Sequence, residues 1–332
     1  MNKIAFLFPG QGSQYVGMGR ELCERFAVAR AVFEEADEAL GFGLSQVIFR
    51  GPEETLKLTE HTQPAILTVS VASERVLRGA GVEAALAAGH SLGEYSAHVA
   101  AGTLSFRDAV KAVRLRGRYM QQAVPAGEGA MAAVLGLDAE LIGTICEQVG
   151  DEMTPLPGTP GAEGFDCRLA VVSAANLNSP GQTVISGAAG AVERAAARCK
   201  DAGAKRTVML PVSAPFHCAL MQPAQDAMAR DLAEVEFCDP KLPVAANVSA
   251  ALVTTGGAAR EALVAQVTGA VRWVECVERL AREGATHFVE VGPGRVLSGL
   301  MRQILGKETA VPVLNVEDAG SLEKTMAALG AG

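Results

Sequence analysis

The 332 residues include one Trp and three Tyr, and only 29 Lys and Arg stand against 37 Asp and Glu, for a formal charge of −8. So few aromatics leave no platform for stacking single strands, and the acidic balance lacks the basic field of a nucleic-acid binder. An acidic partner is still compatible, because docking needs only a local basic patch. The seven cysteines (Cys23, Cys146, Cys167, Cys199, Cys218, Cys238 and Cys276) are odd in number and form no C-x-x-C pair. That supports neither a disulfide framework nor a zinc site, so they read as small buried residues in a reducing compartment. No Walker sequence occurs. The early turn Gly10-Gln11-Gly12 is followed by Gln14-Tyr15, where a dinucleotide-binding turn needs its third glycine. Long apolar runs are missing too. Leu169–Val192 and Thr207–Gln225 carry no charge, but the first contains Asn176, Asn178, Pro180 and Gln182, and the second Pro211, Pro215, His217 and Pro223. Neither suits a bilayer. The apolar stretch Ile4–Phe8 is too short for a secretory signal. The expectation is a cytoplasmic protein without a membrane partner, and no repeat or low-complexity tract complicates it.

What is present is a large apolar fraction, 49%, enough for a substantial core in one large domain or two ordinary ones. Ile4–Phe8 reads as a buried strand. Leu22, Phe26, Ala29, Val32, Phe33 and Ala36 predict one helix over Arg20–Leu40. Further helices are expected over Thr62–Leu77, Glu94–Ala101 and Phe106–Ala123, with a strand in Val82–Ala88. From Pro125 the pattern changes to strand (Ala130–Leu137), helix (Ala139–Val149), strands (Leu169–Ala174, Thr183–Ser186), helix (Ala191–Ala202) and strand (Thr207–Leu210). That β-α-β-β-α-β order fits a small ferredoxin-like unit, inserted at 127–208 into a larger α/β domain formed by 1–126 and 209–332. Short strands are expected at Val244–Asn247, His287–Val291 and Val311–Asn315.

Gly89-His90-Ser91-Leu92-Gly93 matches G-x-S-x-G, the turn that exposes a serine hydroxyl between a strand and a helix. The apolar run before it and the helical stretch after it supply the required context, and a helix amino terminus favours a developing alkoxide. A serine nucleophile needs a base. Of His61, His90, His98, His217 and His287, the most suggestive is His217, in the Pro-fixed loop Pro211–Cys218. The residues alone leave it open between a base and a structural histidine. Donors for a tetrahedral oxyanion are sought in the N–H of Leu92 and in the Gly10-Gln11-Gly12 turn.

Taken in order, Phe8-Pro9-Gly10-Gln11-Gly12-Ser13-Gln14, Gly89-His90-Ser91-Leu92-Gly93-Glu94-Tyr95, Leu115-Arg116-Gly117, Asn176-Leu177-Asn178-Ser179-Pro180-Gly181-Gln182, Pro215-Phe216-His217 and Val291-Gly292-Pro293-Gly294 carry a resemblance. The chain resembles the malonyl-CoA:acyl carrier protein transacylases of type II fatty acid synthesis and the related acyltransferase domains of polyketide synthases. The resemblance implies a larger α/β-hydrolase-like domain with a short parallel sheet, plus the inserted ferredoxin-like domain. It implies Ser91 as nucleophile, His217 as general base, the side chain of Gln266 as the group orienting the imidazole, and backbone N–H groups of Gln11 and Leu92 as oxyanion donors. Arg116 becomes the reader of the malonyl carboxylate, for which a guanidinium fork is suited. The rival reading of Arg116 is a solvated helix face shared with Lys111, Arg114 and Arg118. Phe216 matches members that select malonyl over methylmalonyl groups.

The implied partners are malonyl-CoA and an acidic holo acyl carrier protein, docked on basic residues such as Lys205, Arg206 or Arg272. A monomer with no cofactor and no metal is implied, coenzyme A being part of a substrate. The same chemistry in a freestanding polyketide loader or a malonate decarboxylase subunit stays open. A serine hydrolase gives Arg116 no task, and a carrier-binding scaffold needs none of Ser91, His217 and Arg116. The Pro/Gly-rich loop Asp151–Asp166 departs from shorter members and is expected to be a surface excursion.

Overall fold

A computed structural model describes residues 2–155, 163–212, 214–306 and 311–330. The chain divides into two compact units, one of residues 1–118, 230–263 and 275–332, the other of residues 119–229 and 264–274. Each is built on its own sheet.

The strands are β1 (Ile4–Phe8), β2 (Leu86–Gly89), β3 (Gly129–Leu135), β4 (Val172–Ser179), β5 (Gln182–Ala188), β6 (Arg206–Met209), β7 (Val244–Ala245), β8 (Leu252–Val253), β9 (His287–Val291) and β10 (Val313–Val316). In the first unit they form a six-stranded sheet in the order β10-β9-β1-β2-β7-β8, parallel except for β8 at its edge. β1 and β2 are buried at every residue, as strands covered on both faces must be. That is why they read as unbroken apolar or small runs, with no alternation. In the second unit β3, β4, β5 and β6 make a four-stranded antiparallel sheet in the order β4-β5-β3-β6, with helices Ala139–Met153 and Ala189–Asp201 in the connections. This is the ferredoxin-like arrangement expected from the element order, and the mixed α/β class holds. Asp138 starts the first of those helices by accepting the N–H groups of Glu140 and Leu141.

Three expectations need correction. The helix over Arg20–Leu40 is two helices, Arg20–Arg25 and Ala27–Leu40, because Phe26 is extended at φ −122° and ψ 119°. A one-residue break leaves the apolar spacing intact, so periodicity cannot register it. The strand expected from Leu169 begins at Val172, after a 3₁₀ turn over Cys167–Ala170 whose start Asp166 caps through the N–H of Arg168. Cys167 and Cys238 are exposed and Cys23 is half-buried, so only four of the seven thiols behave as buried residues. Residues 156–162 of the expected Pro/Gly loop lie outside the described residues, and Asp151–Met153 are helical. Among the described residues no helix is long and apolar enough to cross a membrane.

Two helices bear directly on the placement of Arg116. Helix Thr59–Gly79 is buried along most of its length. Helix Phe106–Gln122 lies against its start at Gly117, where an added Cβ would stand 2.6 Å from the carbonyl oxygen of Thr59. Helix propensity alone gives Gly117→Ala about 1 kcal/mol of added stability. The contact predicts the opposite sign, a loss of about 1–3 kcal/mol from overpacking, and thermal unfolding of the variant beside the parent protein separates the two.

Candidate active site

Both chain segments that leave the carboxyl ends of β1 and β2 turn sharply and press on each other. His90 N–H donates to the carbonyl of Phe8 at 2.9 Å. A Cβ on Gly10 would lie 2.4 Å from the carbonyl oxygen of His90, one on Gly93 2.1 Å from that of Phe8, and one on Gly89 1.9 Å from Gly93 main-chain atoms. Only glycine fits such approaches. Between Gly89 and Gly93, Ser91 has φ 51°, a left-handed conformation found at three non-glycine residues among those described: Ser91, His217 and Ala250. Such backbone costs a serine or histidine energy and persists where the surroundings enforce it. Two of the three are the residues expected to act as nucleophile and base.

Helix Gly93–Ala100 follows at once, and its amides are assigned one by one. Ser91 N–H donates to Asn247 Oδ1 at 2.7 Å. Gly93 N–H donates to His90 O, Glu94 N–H to Ser91 O and Tyr95 N–H to Leu92 O. Among the described residues Leu92 N–H makes none of these bonds, so it is available to meet a ligand oxygen beside Ser91. Gln11 follows Gly10, the residue whose backbone touches His90. Within the same turn Gly12 N–H is held by Gln14 Oε1 at 2.7 Å and Gly10 O by Ser13 Oγ at 2.8 Å. The two expected oxyanion donors are thus in neighbouring turns.

Arg116 is not on a solvated face. It is 1% exposed. Its Nη1 donates to Gln63 Oε1 at 2.9 Å and its Nη2 to Ser91 Oγ at 3.1 Å. The guanidinium carbon lies 5.9 Å from the centre of the Tyr95 ring. Burial pulls the Arg116 pKa down from its ordinary value, with Tyr95 and Glu94 opposing. The group stays charged even so. A buried cation is expensive to keep, and this one is aimed at the hydroxyl of the strained serine.

In the second unit His217 is buried, in a loop braced by Pro215, whose ring leaves no room for a Cβ on Gly129. Its Nδ1 faces two main-chain oxygens, Gln266 O at 2.9 Å and Gly269 O at 3.2 Å. Carbonyl oxygens only accept, so Nδ1 carries the proton and Nε2 of the neutral ring keeps its lone pair, the tautomer a general base requires. The role given to the Gln266 side chain is therefore corrected: the orienting atom is its backbone oxygen. Gln266 follows the last residue of helix Gly256–Ala265, where main-chain oxygens run out of helical partners. Phe216, beside His217, is buried.

The other histidines have different surroundings. His98 is fully buried and its pKa is pushed down to about 3 by burial, so it stays neutral. His61 stacks edge-on to Phe42, and His287 Nδ1 meets Thr286 Oγ1 at 2.9 Å. The first unit therefore gathers Ser91, Leu92, Gln11 and Arg116, and the second gathers His217, Phe216 and Gln266. Sequence reading missed Gln63 and Asn247. The available signals were a glutamine before Pro64 inside a buried helix, and an asparagine just past a parallel strand, where such sheets bind ligands.

A strained serine elbow on a parallel sheet, in a chain that also carries a ferredoxin-like unit, marks an acyltransferase. The chain belongs to the acyl transferase domain family, whose sequence profile matches residues 5–149 and 163–328. It is 50% identical over 311 residues to the malonyl CoA-acyl carrier protein transacylase of Escherichia coli O157:H7, covering 93% of this chain and 95% of that one. An acyl carrier protein S-malonyltransferase from Vibrio cholerae superposes with a TM-score of 0.89 at 47% identity, over 98% of this chain and 100% of that one. A malonyl-transacylase solved with its holo type II PKS acyl-carrier protein also gives 0.89, at 44% identity over 98% and 100% of the two chains.

The left-handed backbone at residue 91 predicts a stability signature. Ser91→Gly unfolds at higher temperature than Ser91→Ala, by the equivalent of about 1 kcal/mol of relieved strain. A glycine variant that melts below the alanine variant contradicts the strain.

Proposed function

We propose that the chain transfers the malonyl group of malonyl-CoA to the phosphopantetheine thiol of holo acyl carrier protein, through a malonyl ester on Ser91, and so supplies fatty acid synthesis. The observation that carries this reading is the buried Arg116 guanidinium on the hydroxyl of the elbow serine. A hydrolase of neutral esters has no use for a desolvated cation there, whereas an acyl group ending in a carboxylate does.

The reaction runs in two half-reactions. His217 takes the proton of Ser91, Oγ attacks the thioester carbon, and the N–H groups of Leu92 and Gln11 hold the oxyanion. As the C–S bond breaks, the proton passes from His217 to the departing sulfur of coenzyme A. The carrier thiol then gives its proton to His217 and attacks the ester, and Ser91 takes the proton back as its C–O bond breaks. The imidazole carries positive charge twice in this cycle. Two carbonyl dipoles on Nδ1 stabilise that charge less than a carboxylate does, which suits a transfer between thioesters of similar energy. Arg116 binds the malonyl carboxylate, with Gln63 fixing the guanidinium plane, and Phe216 narrows the space at the acyl branch. Lys205 and Arg206 are exposed and offer an acidic carrier a local basic pair. The enzyme works as a monomer and needs no cofactor.

Intact-protein mass tests this directly. Brief exposure to malonyl-CoA adds one malonyl group to the wild-type chain and none to Ser91→Ala, and holo carrier protein then removes it. An adduct lost to water at the same rate with or without carrier contradicts transfer. Arg116→Ala is expected to lower kcat/KM for malonyl-CoA by about 100-fold or more while acetyl transfer changes little, since only the charged acyl group loses a partner. Unchanged selectivity between the two thioesters removes Arg116 from this role.

A further inference from the structure

Where the main-chain ladder between β2 and β7 stops, a side chain continues it. The two strands pair at Ala87 with Val244 and Ala88 with Ala245, and go no further. Two residues on, the fully buried Asn247 turns its carboxamide to the elbow. Oδ1 accepts the N–H of Ser91 at 2.7 Å, and Nδ2 donates to the carbonyl of Gly89 at 2.8 Å. This is the donor and acceptor pair that a peptide group of a neighbouring strand offers, here bridging the bend itself. The Asn247 main-chain N–H donates to Glu94 Oε2 at 2.9 Å, and Glu94 lies in the first turn of helix Gly93–Ala100. One residue thus holds the end of the strand, the nucleophile's amide and the start of the helix.

We propose that Asn247 is a positioning residue for the nucleophile, fixing the left-handed backbone of Ser91 and determining which amides serve the oxyanion. This rests on Ser91 being the acylated residue. With its N–H spent on Oδ1, Ser91 contributes no donor of its own, unlike serine enzymes whose nucleophile amide lines the oxyanion site. The elbow's share falls to Leu92. The side chain must be an amide of this length. An aspartate at 247 has no donor for Gly89 O and sets a carboxylate against that carbonyl, an alanine leaves both main-chain groups unmet, and a glutamine is one methylene too long. The carboxamide holds the main chain of the elbow, whereas the Arg116 guanidinium bonds the side chains of Gln63 and Ser91. Recognition of the acyl carboxylate is therefore separable from the geometry of attack.

The test compares Asn247→Asp and Asn247→Ala with wild type in two reactions at Ser91: phosphonylation by a fluorophosphonate, which needs only an activated serine, and malonylation by malonyl-CoA. Both rates are expected to fall about 100-fold or more in folded variants, through kcat. The KM for malonyl-CoA should stay within about threefold, because the Arg116–Gln63 pair is untouched. Rates within about threefold of wild type in either folded variant, or a loss confined to KM, overturn the proposal. If neither variant folds, amide exchange in the wild-type protein decides: a Ser91 amide as protected as those of β2 supports the clamp, and one exchanging as freely as an exposed turn overturns it. A wild-type protein that is phosphonylated at Ser91 yet takes no malonyl group defeats the proposed function instead, and leaves phosphonylation to test Asn247.

Discussion

A contact between two pieces of main chain, too close for a methyl group on either side, is the constraint on which the first unit depends. Gly10 against His90, Gly93 against Phe8 and Gly89 against Gly93 leave no space for a Cβ. Because the ends of β1 and β2 approach so closely, the chain has to reverse within a few residues and enters helix Gly93–Ala100 through a left-handed serine. The strain at Ser91 is the local cost of that reversal, and the surrounding hydrogen bonds hold it in place.

The chemistry depends on how the polar groups near the turn are used. Among the described residues nearly every amide of the elbow has an acceptor, and the one at Leu92 does not. The serine hydroxyl receives a hydrogen bond from a buried guanidinium, so in the proposed reaction the position that holds the nucleophile is also the position that attracts an anionic acyl group. In the other unit, two main-chain oxygens fix the His217 tautomer without lending it a negative charge. In the proposed mechanism a carboxylate there would strengthen the base, but it would also add a second anion to a reaction whose substrate already carries one. Neutral orientation is consistent with a transfer that has to run readily in both directions.

The features legible in the sequence were local ones. β1 matches its expected bounds because an apolar run of five residues is a strand buried on both faces, and β9 does so although His287 and Glu290 interrupt its apolar residues. The serine turn was visible because three glycine or serine positions at fixed spacing carry its geometry. Arg116 was ambiguous on helical spacing, since Lys111, Arg114 and Arg118 share its helix, and only the fold distinguishes the buried member of the four. Asn247 and Gln63 were not legible, because what they do is decided by partners 156 and 53 residues away. The Gln266 carbonyl could not be read from residue identity at all: any side chain at that position presents the same main-chain oxygen.

Whether His217 makes Ser91 nucleophilic is measured most directly by the rate of the first half-reaction. Rapid-quench mass spectrometry of Ser91 malonylation, under single-turnover conditions, is to be compared between wild type and His217→Ala. A fall of roughly 1,000-fold or more is expected, with Ser91 still the acylated residue, in keeping with the loss of a general base. A rate within about tenfold of wild type contradicts that role, and moves the base to another group.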